Sequence, residues 1–159
     1  MKVKYLILSL IATAFLSSYI SDNGSLKVGS TAPEIVLATN QSETQISLKD
    51  GYKLISFWDP KDPSSRISNK EYSSFIKSSP EAGIELVSIC TDPDDFLAEE
   101  ISRIDGSHEA GLKLNSTDIS ERVLKDYDVE KTPRSYLIGP DGKIKMISPE
   151  ITDLRKLKG

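Results

Sequence analysis

Residues 127–144 read YDVEKTPRSYLIGPDGKI, a pattern typical of a loop followed by a β-hairpin. Two β-rich runs, residues 134–138 and 143–147, flank the tetrapeptide Gly139-Pro140-Asp141-Gly142. Proline and glycine supply the backbone angles that a tight turn needs. The segment therefore predicts two antiparallel strands joined at this turn, with Thr132-Pro133 in the loop that precedes them.

Strands and helices alternate upstream of the hairpin. The runs Tyr52–Trp58 (YKLISFW) and Ile84–Cys90 (IELVSIC) are short and apolar, and the second is typical of a strand buried on both faces of a parallel sheet. Between them, apolar residues recur at helical spacing over residues 63–79. A further helix is predicted to begin at an N-cap on Asp92, with Pro93 in its first position, and to end near Ile104.

Shorter segments complete the pattern. They are predicted strands over residues 32–37, 44–48 and 112–114, a helix from Ser116 or Thr117 to about Tyr127, and a last helix capped by residues 148–150 that reaches Leu157. This order of elements predicts an α/β fold with a mixed central β-sheet flanked by helices.

The first 18 residues have the features of a secretory signal peptide: Lys2 and Lys4, an apolar run over residues 5–16, and small residues at the end. About twelve apolar residues span roughly 18 Å as a helix, less than the roughly 30 Å of a bilayer core, which disfavours a retained anchor. Tyr19 stands where a lipoprotein carries its acylated cysteine, so no lipid anchor is expected. We expect export to the periplasm or cell envelope of a bacterium, a polar linker over residues 19–27, and one domain over residues 28–159.

The composition excludes several classes of function. With 24 acidic and 20 basic residues among 159, the net charge is −4, which argues against a nucleic-acid partner. The chain has one cysteine and one histidine, which excludes a disulfide framework, a zinc site with several thiolates and a pair of catalytic thiols. We therefore expect no metal and no other cofactor.

Three motifs stand out in the chain as a whole: residues 29–33 (GSTAP), residues 56–58 (SFW) and the segment 127–144. With them the chain resembles, from about Val28 onward, the thioredoxin-like envelope thiol-disulfide oxidoreductases of the cytochrome-maturation type. That family lies within the alkyl-hydroperoxide-reductase and thiol-specific-antioxidant superfamily. The resemblance implies a thioredoxin-like fold, a cis bond between Thr132 and Pro133, and thiol-disulfide exchange by two cysteines.

The chain departs from the family where that chemistry takes place. Family members follow Phe-Trp with three residues and then Cys-Pro-x-Cys-Arg, whereas residues 59–66 here read DPKDPSSR. Asp62 stands in the place of the attacking cysteine and Ser65 in that of the resolving cysteine. Disulfide exchange needs a thiolate and a second thiol, so no catalytic residue is predicted and the dithiol reaction cannot run.

Asp62 has two interpretations. As the residue before a helix that starts with Pro63, it is expected to be an N-cap whose carboxylate accepts the N–H of Ser64 or Ser65. The alternative is an acid that acts in catalysis or binds a cation together with Asp59.

Three further residues need an interpretation. Cys90 ends an apolar run and is expected to be a buried, inert thiol, although its place at a strand end makes it the candidate for a reactive one. His108 lies in the polar segment GSHEAG and is expected on an exposed loop. Trp58 faces either the core or a groove beside Pro133.

Two functions follow from this sequence. The first is a redox-inactive module that binds an extended peptide or a protein of the cell envelope in a groove. The resemblance implies that Trp58, Asp59, Asp62, Thr132 and Pro133 form this groove. The second is a thiol-redox protein, either oxidoreductase or antioxidant, that acts through Cys90 or through a thiol of its partner. The missing cysteines favour the first, without enzymatic activity.

Overall fold

A computed structural model of the chain describes residues 26–38, 44–129 and 134–157. The predicted signal peptide, most of the linker, and the Thr132-Pro133 bond with its expected cis conformation lie outside these ranges. None of the helices within them is long and apolar enough to cross a membrane.

A mixed sheet of five strands forms the centre of the molecule. Its order is β5-β4-β3-β6-β7, with parallel pairing between β3 and β4 and between β4 and β5, and antiparallel pairing elsewhere. A separate antiparallel pair, β1-β2, precedes it. The strands are β1 Ile35–Leu37, β2 Thr44–Ile46, β3 Tyr52–Trp58, β4 Ile84–Cys90, β5 Leu112–Asn115, β6 Ser135–Ile138 and β7 Ile144–Ile147.

Within the described ranges, four α-helices cover the sheet. They are α1 Pro63–Ser78, α2 Asp95–Asp105, α3 Glu121–Asp126 and α4 Ile151–Arg155, with short 3-10 turns at Pro80–Ala82 and Ser116–Asp118. The predicted α/β architecture with a mixed, helix-flanked sheet is therefore confirmed. Because β3 and β4 run parallel, both end at the same edge of the sheet, and α1 and α2 begin just beyond it.

The start of α2 differs from the prediction. The N-cap is Asp94, whose carboxylate accepts the N–H of Leu97 at 3.0 Å, and not Asp92. The carboxylate of Asp92 is occupied elsewhere, because it accepts the N–H of Asp94 at 2.9 Å and pairs with Lys61. This turn delays the helix to Asp95.

The helix predicted from Ser116 or Thr117 to Tyr127 is divided in two. Asp118 accepts the backbone N–H of Asn115 at 2.8 Å, which closes the 3-10 turn. Ile119 then adopts an extended conformation and forms a β-bridge with Leu37, so α3 begins only at Glu121. Pairing with β1 overrides the local helical preference. The first two strands are also shorter than the predicted 32–37 and 44–48.

The core on one face of the sheet is centred on three aromatic rings. Tyr127 lies 5.1 Å from Phe57 and 5.3 Å from Tyr136, measured between ring centroids. Its hydroxyl donates to the carbonyl of Pro33 at 2.7 Å, and the Tyr136 hydroxyl donates to the carbonyl of Tyr127 at 2.6 Å. Buried Tyr hydroxyls need such partners, and here they fasten the entry segment to the sheet.

The opposite face packs against α1 and α4. Its core residues are Leu54, Tyr72, Phe75, Ile84, Leu86, Ala110, Leu137 and Leu154. The Tyr72 hydroxyl donates to the carbonyl of Pro149 at 2.7 Å, which ties α1 to the start of α4. Leu54 on β3 and Phe75 on α1 belong to the same cluster, so α1 packs directly against β3.

Candidate functional site at the start of helix α1

The amino-terminal end of α1 is closed by a side chain of the protein itself. Asp62 has extended backbone angles, and its two carboxylate oxygens accept the N–H groups of Ser64 at 3.2 Å and Ser65 at 3.0 Å. Pro63 occupies the first helical position, where the missing N–H costs nothing. The predicted N-cap is confirmed. The bond from the Ser65 N–H lowers the pKa of Asp62, so the group at the positive end of the helix dipole is a carboxylate at neutral pH.

Ser65 is buried and holds the loop that precedes α1. Its hydroxyl oxygen accepts the backbone N–H of Asp59 at 3.0 Å, and its own hydrogen is directed at the carbonyls of Asp62 and Asp59, at 3.2 and 3.3 Å. These bonds use the hydroxyl inside the loop. At the position that corresponds to the resolving cysteine, the chain therefore has a structural serine.

The alternative of a cation bound by Asp59 and Asp62 gains no support. Asp59 directs one carboxylate oxygen to the N–H of Lys61 at 2.7 Å, while Asp62 is occupied by the helix. In the described parts of the chain, no group of three or more His, Cys, Asp or Glu side chains is placed to hold a metal ion.

Cys90 lies directly beside Trp58, its register partner on β3. The side chain is 1% exposed, and its thiol donates to the carbonyl of Asp92 with a sulfur–oxygen distance of 3.8 Å. Burial raises the pKa of the thiol to about 12. The expectation of a buried cysteine is confirmed, and the thiolate needed for redox chemistry is strongly disfavoured.

Trp58 takes the core orientation of the two that the sequence left open. It is 4% exposed and packs with Cys90 on β4 and with Ala98 on α2, beside the half-buried Ile101 of the same helix. The assignment of its side chain to a binding groove is therefore wrong, because the indole is covered by α2. An aromatic ring at a strand end is equally compatible with both orientations, and only the position of α2 decides between them.

A salt bridge that the sequence did not indicate joins the two loops at this edge. The Lys61 ammonium lies 2.5 Å from a carboxylate oxygen of Asp92, which is 7% exposed. Their hydrogen bond raises the pKa of Lys61 and lowers that of Asp92. The two residues are 31 positions apart, so only the parallel pairing of β3 with β4 brings them together. The salt bridge thus links the loops that follow these two strands.

Two other predicted residues can be placed. His108 lies on an exposed loop, as predicted, with its ring 3.6 Å from the Glu109 carboxylate. Thr132 and Pro133 lie outside the described residues. The backbone carbonyl of Arg134, the next residue, accepts the N–H of Phe57 at 2.9 Å. The described chain therefore resumes beside the end of β3.

Solved structures provide the comparison with known proteins. A thioredoxin-like protein from Parabacteroides distasonis superposes with a TM-score of 0.67 at 24% identity, covering 85% of this chain and 97% of its own. The fold is thioredoxin-like. The thioredoxin domain of a thiol-disulfide oxidoreductase from Bacteroides vulgatus superposes with a TM-score of 0.66 at 23% identity, covering 83% of this chain and 95% of its own. StoA from Bacillus subtilis superposes with a TM-score of 0.61 at 15% identity, covering 80% of this chain and 97% of its own.

The sequence matches no family model and no curated protein. At these identities, structural similarity shows the fold, and the chemistry has to be deduced from the chain's own residues. This thioredoxin-like chain has a carboxylate at Asp62 and a hydroxyl at Ser65. Its one thiol, Cys90, is buried.

Proposed function

We propose that the protein is a redox-inactive thioredoxin-like module that binds an extended peptide or protein segment in the cell envelope of a bacterium. The observation that carries this proposal is the pair of hydrogen bonds from Ser64 and Ser65 to the Asp62 carboxylate. These N–H groups and the helix dipole would activate a cysteine at this position. In this chain they stabilise an internal acid instead.

The thiol-redox alternative is disfavoured by the placement of Cys90. A thiol with a pKa of about 12 is almost entirely protonated at neutral pH, and this one is covered by Trp58 and Ala98. Exchange with a partner's disulfide would require the sulfur to be exposed and ionised. The structure provides neither condition in its described residues.

The loops at the carboxyl ends of β3 and β4 support a binding role. Ligands of open α/β sheets gather beyond such strand ends, and a pre-formed surface loses less entropy on binding. The Lys61–Asp92 salt bridge and the internal bonds of Ser65 hold this surface in place. With Trp58 in the core, the surface consists of the 59–62 loop and, by the resemblance, the backbone at Thr132-Pro133.

Pro133 gives this surface its expected mode of recognition. A proline has no backbone N–H, so the chain beside it is free to face a partner strand rather than pair within the sheet. An extended peptide would then add its own backbone hydrogen bonds along this edge. Export rests on the predicted signal peptide over residues 1–18.

A peptide-display selection on the intact chain tests this function. Peptides that are selected should bind the wild-type protein and lose most of their affinity for the Pro133→Ala variant. Pro140→Ala is the matched control, because Pro140 is exposed in the β6–β7 turn at the far end of β6. Failure to select any peptide, or equal loss of affinity in both variants, would refute binding at this edge.

A further inference from the structure

Lys113, on the edge strand β5, has an amine group that is buried without a partner. Its Nζ atom is inaccessible to solvent and makes no hydrogen bond within the described residues. Lys53 shows the usual arrangement, because its largely buried amine lies 2.5 Å from the Glu85 carboxylate. Buried ammonium groups are costly unless they are paired, so Lys113 requires an explanation.

The amine points toward helix α1. Lys113 and Ser88 are register partners on parallel strands, so their side chains project from the same face of the sheet. The hydroxyl of Ser88 donates to the Asn69 side-chain carbonyl on α1 at 2.9 Å. Ser73, one turn further along α1, is fully buried, and its hydroxyl also has no partner within the described chain. Two unsatisfied polar groups thus share the layer between α1 and the sheet.

The charges around this layer leave the amine without a counter-ion. Lys77, which lies one turn after Ser73 on α1, forms a salt bridge with Glu109 at 2.8 Å. Between α1 and α2, Arg66 and Asp105 form a closed bidentate pair. Burial, assisted by the charge of Lys77, lowers the pKa of Lys113 to about 8. Compared with the ordinary value of 10.5, this makes the neutral amine about 300-fold more abundant at pH 7.

We propose that Lys113 is a carbon dioxide site that is modified reversibly to a carbamate. The nitrogen lone pair attacks the carbon of CO₂, an N–C bond forms, and the electrons of one C–O π bond move to oxygen. The nitrogen then releases one proton to water, so the lysine amine and CO₂ give a carbamate anion and H⁺ without any oxidant or reductant. CO₂ is small and uncharged, and it enters a closed protein layer without the desolvation cost of an ion.

The surrounding groups match the product better than the starting amine. The carbamate is an acceptor-rich anion, and in this proposal the Ser73 hydroxyl, which has no partner within the described residues, donates to it. The ammonium of Lys77, which repels a protonated Lys113, attracts the carbamate. The modification therefore replaces an unpaired buried cation with a hydrogen-bonded anion, a gain that an exposed lysine does not have.

Chemical trapping identifies the modified residue. The intact protein is equilibrated at pH 8 with ¹³C-bicarbonate and dissolved CO₂, alkylated with a trialkyloxonium salt, and mapped by mass spectrometry. The trapped carbamate should occur at Lys113 at least about tenfold more often than at the exposed Lys70, because burial lowers the pKa of the Lys113 amine. Since this measurement uses the wild-type chain, it does not depend on whether a variant folds.

Variants then test the role of the pocket. The ¹³C NMR carbamate signal should persist in Lys70→Met, lose its Lys113 component in Lys113→Met, and weaken several-fold in Ser73→Ala. The signal of the α-amino group serves as an internal standard in all three. A ¹³C carbamate spectrum that is unchanged in Lys113→Met, together with trapping confined to the α-amino group and exposed lysines, would overturn the proposal. An unchanged signal in Ser73→Ala would remove Ser73 from the site.

Discussion

The Oδ2 atom of Asp62 lies 3.0 Å from the backbone nitrogen of Ser65, so one hydrogen bond spans the two positions that would carry an exchangeable pair of sulfurs. Asp62 and Ser65 are three residues apart across the first turn of α1, which the Asp62 cap and Pro63 stabilise. At these two positions the chain has no sulfur, while the capped first turn of α1 is formed.

The double substitution Asp62→Cys and Ser65→Cys is therefore expected to form an internal disulfide. The free N–H groups and the helix dipole should lower the pKa of the thiol introduced at position 62 below the usual value of about 8.5. Mass spectrometry after alkylation measures the disulfide, and the pH dependence of alkylation measures the pKa. Each single variant is the control and should form no internal bond. A folded double variant whose thiols stay reduced under air would show that the site is misplaced.

Asp62→Asn tests the contribution of the carboxylate charge through its pH dependence, because the asparagine side chain can still accept the helix N–H groups. The pKa of Asp62 is lowered in the folded state by the Ser65 N–H, so the unfolded chain binds more protons in acid. The stabilisation by the carboxylate is thus present above its unfolded pKa and lost as the pH falls through the folded one. The difference in melting temperature between wild type and variant should have its largest value at pH 7 and should vanish at strongly acidic pH.

Glu99→Gln, an exposed change within α2, controls for the loss of one negative charge. It should show no comparable loss of stability at pH 7. A difference for Asp62→Asn that stays constant from pH 7 into acid would contradict a stabilising role for the Asp62 charge.

Cys90 should react with thiol reagents only when the protein opens. The side chain is 1% exposed and its pKa is raised to about 12, so native labelling requires local or global unfolding. Labelling by a chromogenic disulfide reagent should be slow in native buffer and accelerate sharply above the urea midpoint. Native labelling at the rate of the unfolded chain would disprove burial of the thiol.

Lys113→Met is expected to stabilise the protein in CO₂-free buffer at neutral pH, by on the order of 3 kcal/mol at most. The folded pKa of about 8 lies below the ordinary 10.5, so the unfolded wild type binds more protons between these values and its stability rises with pH there. The advantage of the variant in urea midpoint should therefore shrink from pH 8 to pH 10.5. Lys70→Met, an exposed substitution, should show no such trend.

The bounds of the two central strands are predictable from sequence because most of their residues are buried. The runs Tyr52–Trp58 and Ile84–Cys90 have in the structure the bounds that the sequence predicts, since strands covered on both faces are mostly apolar. The Asp62 cap was predictable for a local reason: an acid before Pro63 at a helix start has few other partners.

Features that depend on pairing distant in sequence were not predictable. Asp92 was expected to cap α2, but Lys61 and the N–H of Asp94 occupy its carboxylate. Ile119 leaves its predicted helix to pair with Leu37. The unpartnered amine of Lys113 follows from its register with Ser88 beneath α1, and no local sequence signal marks it.

The reduction of insulin by dithiothreitol, followed by turbidity, tests the central claim most directly. The wild-type chain should leave the rate at its uncatalysed value, because Asp62 and Ser65 carry no sulfur and Cys90 is buried. The Asp62→Cys and Ser65→Cys double variant should accelerate the reaction, and neither single variant should. Catalysis by the wild-type chain clearly above the uncatalysed rate would contradict a redox-inactive module.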